Sequence, residues 1–137
     1  MSESKTVLVL GDSAGELVLD RILLEQLAAP GRTLVYSVKK GPIINDATRE
    51  DADESGLAEI AVVIDTGNDE LGAQLGSASQ EFRTRFEQAD LVLSKGAANF
   101  ETIAGEAKRK YFLISVKCPV VARHFGVGVG DVIFMRE

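Results

Sequence analysis

Acidic and basic side chains follow several apolar segments of this sequence, close to the points where those segments end. Asp12 follows the first segment, Asp46 follows the second after a short loop, and Lys95 follows the fourth. Two carboxylates suit a divalent cation, and a lysine suits a phosphate group. The sequence therefore predicts a metal-and-phosphate site, provided that the fold brings these segment ends together.

The segments that must position these side chains alternate between strand and helix patterns. We predict strands over residues 5–10, 32–38, 62–64, 90–93, 110–116 and 131–135, and helices over 14–29, 46–55, 79–88, 99–108 and 118–125. This alternation predicts a single α/β domain over residues 1–137, three-layered and doubly wound, with a mainly parallel, Rossmann-like sheet. Strand order 3-2-1-4-5 would place Asp12, Asp46 and Lys95 at neighbouring strand ends, beside the switch point between strands one and four.

Further polar residues surround this predicted site. Glu16 and Asp20 are four residues apart on one helical face, which indicates either a solvated acidic face or a cluster awaiting a cation. Asn45 and Asp46 stand at a predicted helix start, where an Asx cap and a metal ligand can coexist. After Lys95, Gly96 is expected to leave backbone amides open to an anion, and Asn99 to open the next helix as a cap or ligand contact.

Composition excludes several classes of protein. The net charge of −6 argues against a nucleic-acid partner. No apolar run reaches the length of about 18 residues that a membrane span needs, and the first residues lack a secretory signal pattern. The single cysteine, Cys118, excludes an internal disulfide and a multi-thiolate zinc site, and suits a cytoplasmic location. We expect Cys118 to be a small buried residue, and His124 to be a helix-end packing or surface residue.

Two glycine patterns and one long loop give weaker indications. Gly11 and Gly15 have neither the spacing of a dinucleotide fingerprint nor the Gly-Lys-Ser/Thr of a P-loop. The segment 65–77 is irregular and rich in glycine, which indicates either a mobile flap or a plain surface loop.

Four motifs, taken together, resemble the damage-control phosphatase family. They are Gly-Asp-Ser-Ala-Gly-Glu at 11–16, Gly-Pro-Ile-Ile-Asn-Asp-Ala-Thr at 41–48, Ser-Lys-Gly at 94–96 with Asn-Phe-Glu-Thr at 99–102, and Cys-Pro-Val-Val-Ala-Arg-His at 118–124. The resemblance covers nearly the whole chain. It implies a phosphatase that depends on a divalent metal (cobalt, nickel, manganese or magnesium) and acts on sugar phosphates and related phosphorylated metabolites.

The resemblance also implies roles for individual residues. Asp12 and Asp46 match the metal-binding acids, Ser13 stands where an asparagine ligand is usual, and Lys95 matches a lysine near the substrate phosphate. Glu16, Asn45, Gly96 and Asn99 match positions around that pocket. We expect Asp12, Asp46 and Lys95 to be catalytic, with either a metal-bound water or Asp12 as the attacking group.

Two departures from the family pattern open further possibilities. The Ser13 hydroxyl is a shorter and poorer ligand than an amide carbonyl. Family members usually carry a mainly helical segment before the first strand, and this sequence begins at that strand. The chain could thus be a minimal member, one half of an assembly, or a catalytically weakened module that binds a metal or a phosphorylated metabolite. A homo-oligomer or a partner could replace the missing segment.

A serine esterase is the remaining alternative. Gly11-Asp12-Ser13 resembles the nucleophile block of Gly-Asp-Ser esterases, Gly67-Asn68-Asp69 hints at their Asn-bearing block, and His124 would be the base. Two positions argue against it: Thr66 stands where that block requires glycine, and Val121 where the acid partner of the histidine belongs.

Overall fold

A computed structural model describes residues 3–137 of the chain. Its strands are β1 (Thr6–Leu10), β2 (Thr33–Val38), β3 (Val62–Asp65), β4 (Leu91–Lys95), β5 (Lys110–Ser115) and β6 (Val132–Arg136). Its α-helices are α1 (Leu17–Leu27), α2 (Arg49–Glu54), α3 (Gln80–Gln88), α4 (Ala97–Ile103) and α5 (Pro119–Phe125), with short 3-10 turns at Ala14–Glu16 and Leu57–Glu59. No helix in these described residues is long and apolar enough to cross a membrane.

The six strands form one sheet in the order β3-β2-β1-β4-β5-β6. The pairs from β3 to β5 are parallel, and β6 runs antiparallel along β5 at the edge. The predicted order 3-2-1-4-5 and the α/β fold class are therefore confirmed. Because the chain turns in opposite directions after β1 and β4, the carboxyl ends of these two strands border the crevice in which α/β proteins bind ligands.

Two apolar clusters hold the helices against the two faces of the sheet. On one face α3, α4 and α5 pack over a cluster that includes Leu8, Phe82 and Phe112. On the other face α1 and α2 pack over a cluster that includes Val9 and Leu24. The central strands are buried on both faces, as expected for parallel strands that lie between two helical layers.

Helix α1 buries a different stripe from the one that its sequence predicts. Helical periodicity predicts that Val18, Leu19 and Ile22 turn inwards, but these side chains are 64%, 67% and 53% exposed. The helix instead buries Asp20 together with two leucines. The reason is a buried polar network around Asp20, which turns the other apolar residues outwards.

Several helix starts also differ from the predictions. Asp46 does not cap α2, which begins three residues later; Thr48 stands at its start and donates to the Asp51 carboxylate. Helix α4 begins at Ala97, so Asn99 lies within its first turn and does not open it. It also ends before residue 108, because Gly105 has a left-handed backbone (φ +85°) soon after its last turn.

The irregular segment 65–77 is packed onto the domain. Its backbone carbonyl at Gly72 accepts a hydrogen bond from the buried Lys39 ammonium, and the Ala73 amide donates to the Thr102 hydroxyl over 2.9 Å. Ala73 is only 1% exposed. The structure therefore favours the surface-loop alternative over a flap that covers the site.

Candidate functional site

A cavity of about 600 Å³ opens at the carboxyl ends of β1 and β4. One wall is charged and is formed by Asp12, Glu16, Asp20, Lys95 and Lys117. The apolar wall is formed by residues of α1, β5, α5 and β6, namely Leu19, Leu23, Leu113, Val121 and Val132, and Gly96, Ala97, Ser115 and Cys118 complete the lining. The cavity thus offers a charged end for an anion or cation and an apolar side for the rest of a ligand.

Backbone pairing joins the loops that carry Asp12 and Asp46. Ser13 and Asp46 form an isolated antiparallel bridge. In it the Ala14 amide donates to the Asn45 carbonyl, and the Ala47 amide donates to the Asp12 carbonyl, each over 2.8 Å. This bridge fixes the two predicted acids side by side, although Asp46 itself does not line the cavity.

The surroundings of Asp12 and Asp46 disfavour the ionised form of each carboxyl group. Burial raises the pKa of Asp12 above its usual range, and the nearby Asp46 and Glu16 carboxylates raise it further. The pKa of Asp46 is also raised, chiefly by burial, although Lys39 opposes that shift. Residues 3–137 contain no cluster of three or more His, Cys, Asp or Glu side chains placed to hold a metal ion. A metal here would have to rely on two carboxylates, the Ser13 hydroxyl and water.

Lys95 is the centre of a buried ion-pair network. Its ammonium contacts the carboxylates of Glu16 and Asp20, and the Asp20 contact measures 2.5 Å. Asp20 accepts a second hydrogen bond of 2.5 Å from the Tyr36 hydroxyl. Burial alone would lower the pKa of Lys95, but its hydrogen bonds with the two carboxylates outweigh that effect and raise it. The four-residue spacing of Glu16 and Asp20 therefore places both carboxylates against Lys95. The sequence had suggested a solvated acidic face or a cluster awaiting a cation, and it had not indicated this lysine as their partner.

Gly96 makes room for the Asp12 carboxylate. A Cβ at position 96 would lie 2.4 Å from an oxygen of Asp12, and the backbone there is left-handed (φ +85°). Its amide donates to the Leu113 carbonyl over 3.0 Å, so it is not open to an anion as predicted. Gly96 instead determines how closely Asp12 can approach the end of β4.

We expect Gly96→Ala to displace Asp12 and to lower the melting temperature more than its backbone strain alone would. Gly105→Ala is the matched control, since Gly105 has the same φ of +85° but a Cβ added there would meet nothing within 4 Å. The left-handed backbone should cost each variant about 1–2 kcal/mol, and the steric clash should add to that cost only at position 96. Thermal unfolding checks this. Equal losses in the two variants would mean that Asp12 does not occupy the described position.

Two lysines at this end of the sheet were missed by the sequence analysis. Lys39 is 4% exposed, and burial lowers its pKa while Asp46 and Asp12 oppose that shift. Lys117 is exposed, lines the cavity and acts electrostatically on Asp12. The structure shows no hydrogen bond or ion pair of its side chain with another described residue. Both lysines directly follow predicted strands, much as Asp12 follows the first strand after one glycine, and that position could have indicated them.

The other predicted site residues have different surroundings. The Asn45 amide donates to the Ser13 hydroxyl at 3.5 Å, at the limit of a hydrogen bond, and neither residue lines the cavity. Asn99 is buried, and its amide donates hydrogen bonds to the Gly11 and Lys95 carbonyls. These two hydrogen bonds join the ends of β1 and β4. Cys118 is half-buried and lines the cavity, so the prediction of full burial was wrong.

His124 packs as a helix-end residue, as its sequence context predicts. Its ring lies 5.9 Å from the Phe100 ring and 4.7 Å from the Phe125 ring, measured between centroids. No hydrogen bond joins it to Ser13 within the described part of the chain. The serine esterase interpretation therefore lacks its base.

Fold and site together define a Rossmann-like α/β domain with an acidic, lysine-containing site at its switch point. The family model of the damage-control phosphatase ARMT1-like domain matches residues 1–133. The chain belongs to this family, and the resemblance noted in the sequence is confirmed.

Individual relatives agree with this assignment. The chain is 40% identical to an uncharacterised protein of Methanocaldococcus jannaschii, over 97% of this chain and 45% of that protein. It is 39% identical to a damage-control phosphatase of Pyrococcus horikoshii, over 100% of this chain and 48% of that protein. A crystal structure of a DUF89 family protein from P. horikoshii superposes with a TM-score of 0.91 at 37% identity, over 98% of this chain and 48% of that one. The chain thus spans about half the length of these relatives.

Proposed function

We propose that this chain is the catalytic α/β part of a divalent-metal-dependent phosphatase that hydrolyses small phosphorylated metabolites such as sugar phosphates. The observation that carries the proposal is the paired Asp12 and Asp46 loops at the switch point, beside a cavity lined by two lysines. Relatives of more than a third identity are named damage-control phosphatases. The names of these relatives indicate the class of reaction, and we propose the cavity as its location.

The donor set in this structure fits a hard or borderline divalent ion. Asp12 and Asp46 would hold it, with Ser13 as a weak third ligand and water in the remaining positions. The raised pKa of Asp12 fits this role, because burial and the nearby Asp46 and Glu16 carboxylates disfavour its charge, and a cation would offset both effects. Burial also raises the pKa of Asp46. When bound, such an ion polarises the phosphoryl oxygens of the substrate. Manganese, cobalt, nickel and magnesium all accept such ligands.

Lys117 and Lys95 have separate parts in this proposal. Lys95 is already paired with two carboxylates, so we assign it to supporting the charged wall of the cavity and not to direct contact with the phosphate. Lys117 is exposed on the cavity wall, and no carboxylate of the described residues pairs with it. Its ammonium is therefore suited to direct contact with a phosphate oxygen. Glu16 and Gly96 shape the space between these groups. Asn45 and Asn99 are proposed to act on the substrate pocket indirectly, because each joins segments that carry other site residues.

Asp12 is the proposed reacting carboxylate. It lines the cavity and Asp46 does not, so Asp12 is the acid that a bound phosphate would meet. It would either attack phosphorus in line, with the alkoxide leaving and taking a proton from water before a second water hydrolyses the aspartyl phosphate, or orient a water that attacks and expels the same alkoxide. Developing charge on the phosphoryl oxygens would be offset by Lys117.

The function is tested by hydrolysis of a chromogenic phosphate and a panel of sugar phosphates, with each of the four ions and with chelator. We expect phosphate release that requires a divalent ion, and Lys117→Ala should raise KM about tenfold or more with little change in melting temperature. Lys40→Met, at an exposed lysine outside the cavity, is the control. Equal activity with chelator, or hydrolysis of a chromogenic acetate ester instead, would contradict the proposal.

A weakened binding module is the second candidate, and Ser13 is the observation that favours it. A serine hydroxyl reaches less far than the amide oxygen for which it stands, and Ser13 is only loosely held by Asn45. We expect Ser13→Asn to tighten metal binding and to raise turnover in the same assay. If neither the wild type nor this variant releases phosphate while both bind the ion, the binding role is the better description.

A further inference from the structure

Lys39 lies next to the proposed metal ligands although it does not line the cavity. It follows β2 directly, and its backbone amide donates to the Ala47 carbonyl over 2.9 Å. It also forms an isolated parallel bridge with Thr48. Backbone pairing therefore fixes Lys39 beside the segment that begins with Asp46.

The side chain of Lys39 is a buried cation that has a neutral hydrogen-bond partner. The residue is 4% exposed, and its ammonium donates a hydrogen bond to the Gly72 carbonyl. No ion pair joins it to an acidic side chain within residues 3–137, whereas Lys95 contacts two carboxylates. A carbonyl oxygen accepts a hydrogen bond but does not cancel a unit charge. The positive charge of Lys39 therefore acts on other groups nearby.

The groups on which this charge acts include both proposed metal ligands. Burial raises the pKa of Asp46, and Lys39 lowers it. Burial lowers the pKa of Lys39, and the carboxylates of Asp46, Asp12 and Glu70 raise it, in that order of size. A single positive charge thus offsets part of the negative charge of the two acids that would hold a divalent ion.

We propose that Lys39 is a positioning residue of the metal site, a counter-ion built into the chain. In the metal-free protein it balances the acids of the Asp12 and Asp46 loops, and it weakens the binding of a divalent ion by repulsion. The inference rests on the proposed function, because it takes Asp12 and Asp46 as the ligands. Lys39 and the ion interact with the same two carboxylates, and burial limits the screening of their mutual repulsion. The site would therefore release its ion more readily than the two acids alone would.

Lys39→Met tests this inference with manganese alone and without any substrate. Methionine is of similar length and has no charge, so the variant keeps most of the packing and loses the repulsion. We expect its dissociation constant for manganese, measured by calorimetric titration, to be about tenfold lower than that of the wild type. At one saturating concentration, manganese should then raise the melting temperature of the variant by about 5 °C more than that of the wild type. A purely structural anchor would act in the opposite direction, because a loosened loop binds an ion less tightly.

Two control variants separate the charge of Lys39 from its position. Lys40→Met removes the charge of the next residue, which is exposed to solvent. Thr102→Val removes the hydroxyl that accepts a hydrogen bond from the Ala73 amide, so it loosens the loop beside Gly72 without a change of charge. Neither control should tighten manganese binding by more than about twofold.

A second uncharged variant, Lys39→Gln, keeps a hydrogen-bond donor at this position and should agree with Lys39→Met. It also decides the question if the methionine variant does not fold. Manganese binding that is equal to that of the wild type, or weaker, in the uncharged variants would overturn the inference and leave the proposed function standing. If neither the wild type nor these variants bind manganese, the proposed function fails together with the inference.

Discussion

Asp12→Asn is expected to lower phosphatase turnover about a thousandfold and, at the same time, to stabilise the metal-free protein. In the wild type a saturating divalent ion at about 100 times its dissociation constant should add about 2.7 kcal/mol, or about 10 °C in melting temperature. The variant should lose most of this gain. Its own melting temperature without metal should lie a few degrees above that of the wild type, because the variant no longer buries a charge at position 12 or sets one beside Asp46 and Glu16.

The pH dependence of that difference has a definite sign. Because the folded pKa of Asp12 lies above its ordinary value of 3.8, the folded state holds this proton more tightly than the unfolded state. The wild type therefore loses stability as pH rises from about 3.8 through the folded pKa, and the unfavourable contribution is fully present above it. Asp12→Asn removes this loss, so the two proteins should converge in stability at acidic pH.

Thermal unfolding between pH 3 and 8, with and without manganese, checks both parts of this expectation. Asp69→Asn, at an exposed loop acid, is the control and should retain both turnover and the metal-induced gain. If the metal stabilises wild type and Asp12→Asn equally, the ion binds elsewhere and the assignment of Asp12 is wrong.

Lys95→Met is expected to destabilise the protein by about 3 kcal/mol, or about 10 °C in melting temperature. The Lys95 and Asp20 side chains are only 8% and 4% exposed. Removal of the ammonium leaves Asp20 buried with the Tyr36 hydroxyl as its one remaining hydrogen-bond partner among residues 3–137, and an uncompensated buried charge is among the costliest defects in a protein.

A double variant separates the loss of a pair from the loss of packing. Lys95→Met combined with Asp20→Asn removes both charges, so it should recover a large part of the stability that Lys95→Met loses. Lys40→Met changes an exposed lysine and should have little effect. Additive losses from the two substitutions would mean that Lys95 and Asp20 do not interact in solution.

The fold could be predicted from the sequence because its strands are continuous apolar runs that end in polar loops. Residues 7–10 and 91–93 are continuously apolar because helices cover both faces of the sheet there, and this pattern predicts buried parallel strands. The same polar loops placed Asp12, Asp46 and Lys95 at one end of the sheet, and the structure brings Asp12 and Lys95 to one cavity with Asp46 bridged to the neighbouring loop.

The parts that could not be predicted depend on contacts between distant residues. Nothing local marks Asp20 as buried, since its partners Tyr36 and Lys95 lie 16 and 75 residues away. Helical periodicity assumes that apolar residues turn inwards, and it fails in α1 because an ion-pair network occupies the inward stripe. The capping role expected of Asp46 was replaced by a backbone bridge to Ser13, which a helix-start pattern cannot reveal.

The two walls of the cavity differ in how freely they can change. On the charged wall Lys95 pairs with Asp20, and Asp12 lies against Gly96, so alteration of any of them would disturb the architecture as well as the proposed chemistry. Leu113, Val121 and Val132 on the apolar wall are only partly buried or exposed. Selection for other substrates of the proposed reaction, natural or in the laboratory, would therefore find its tolerant positions along the apolar wall.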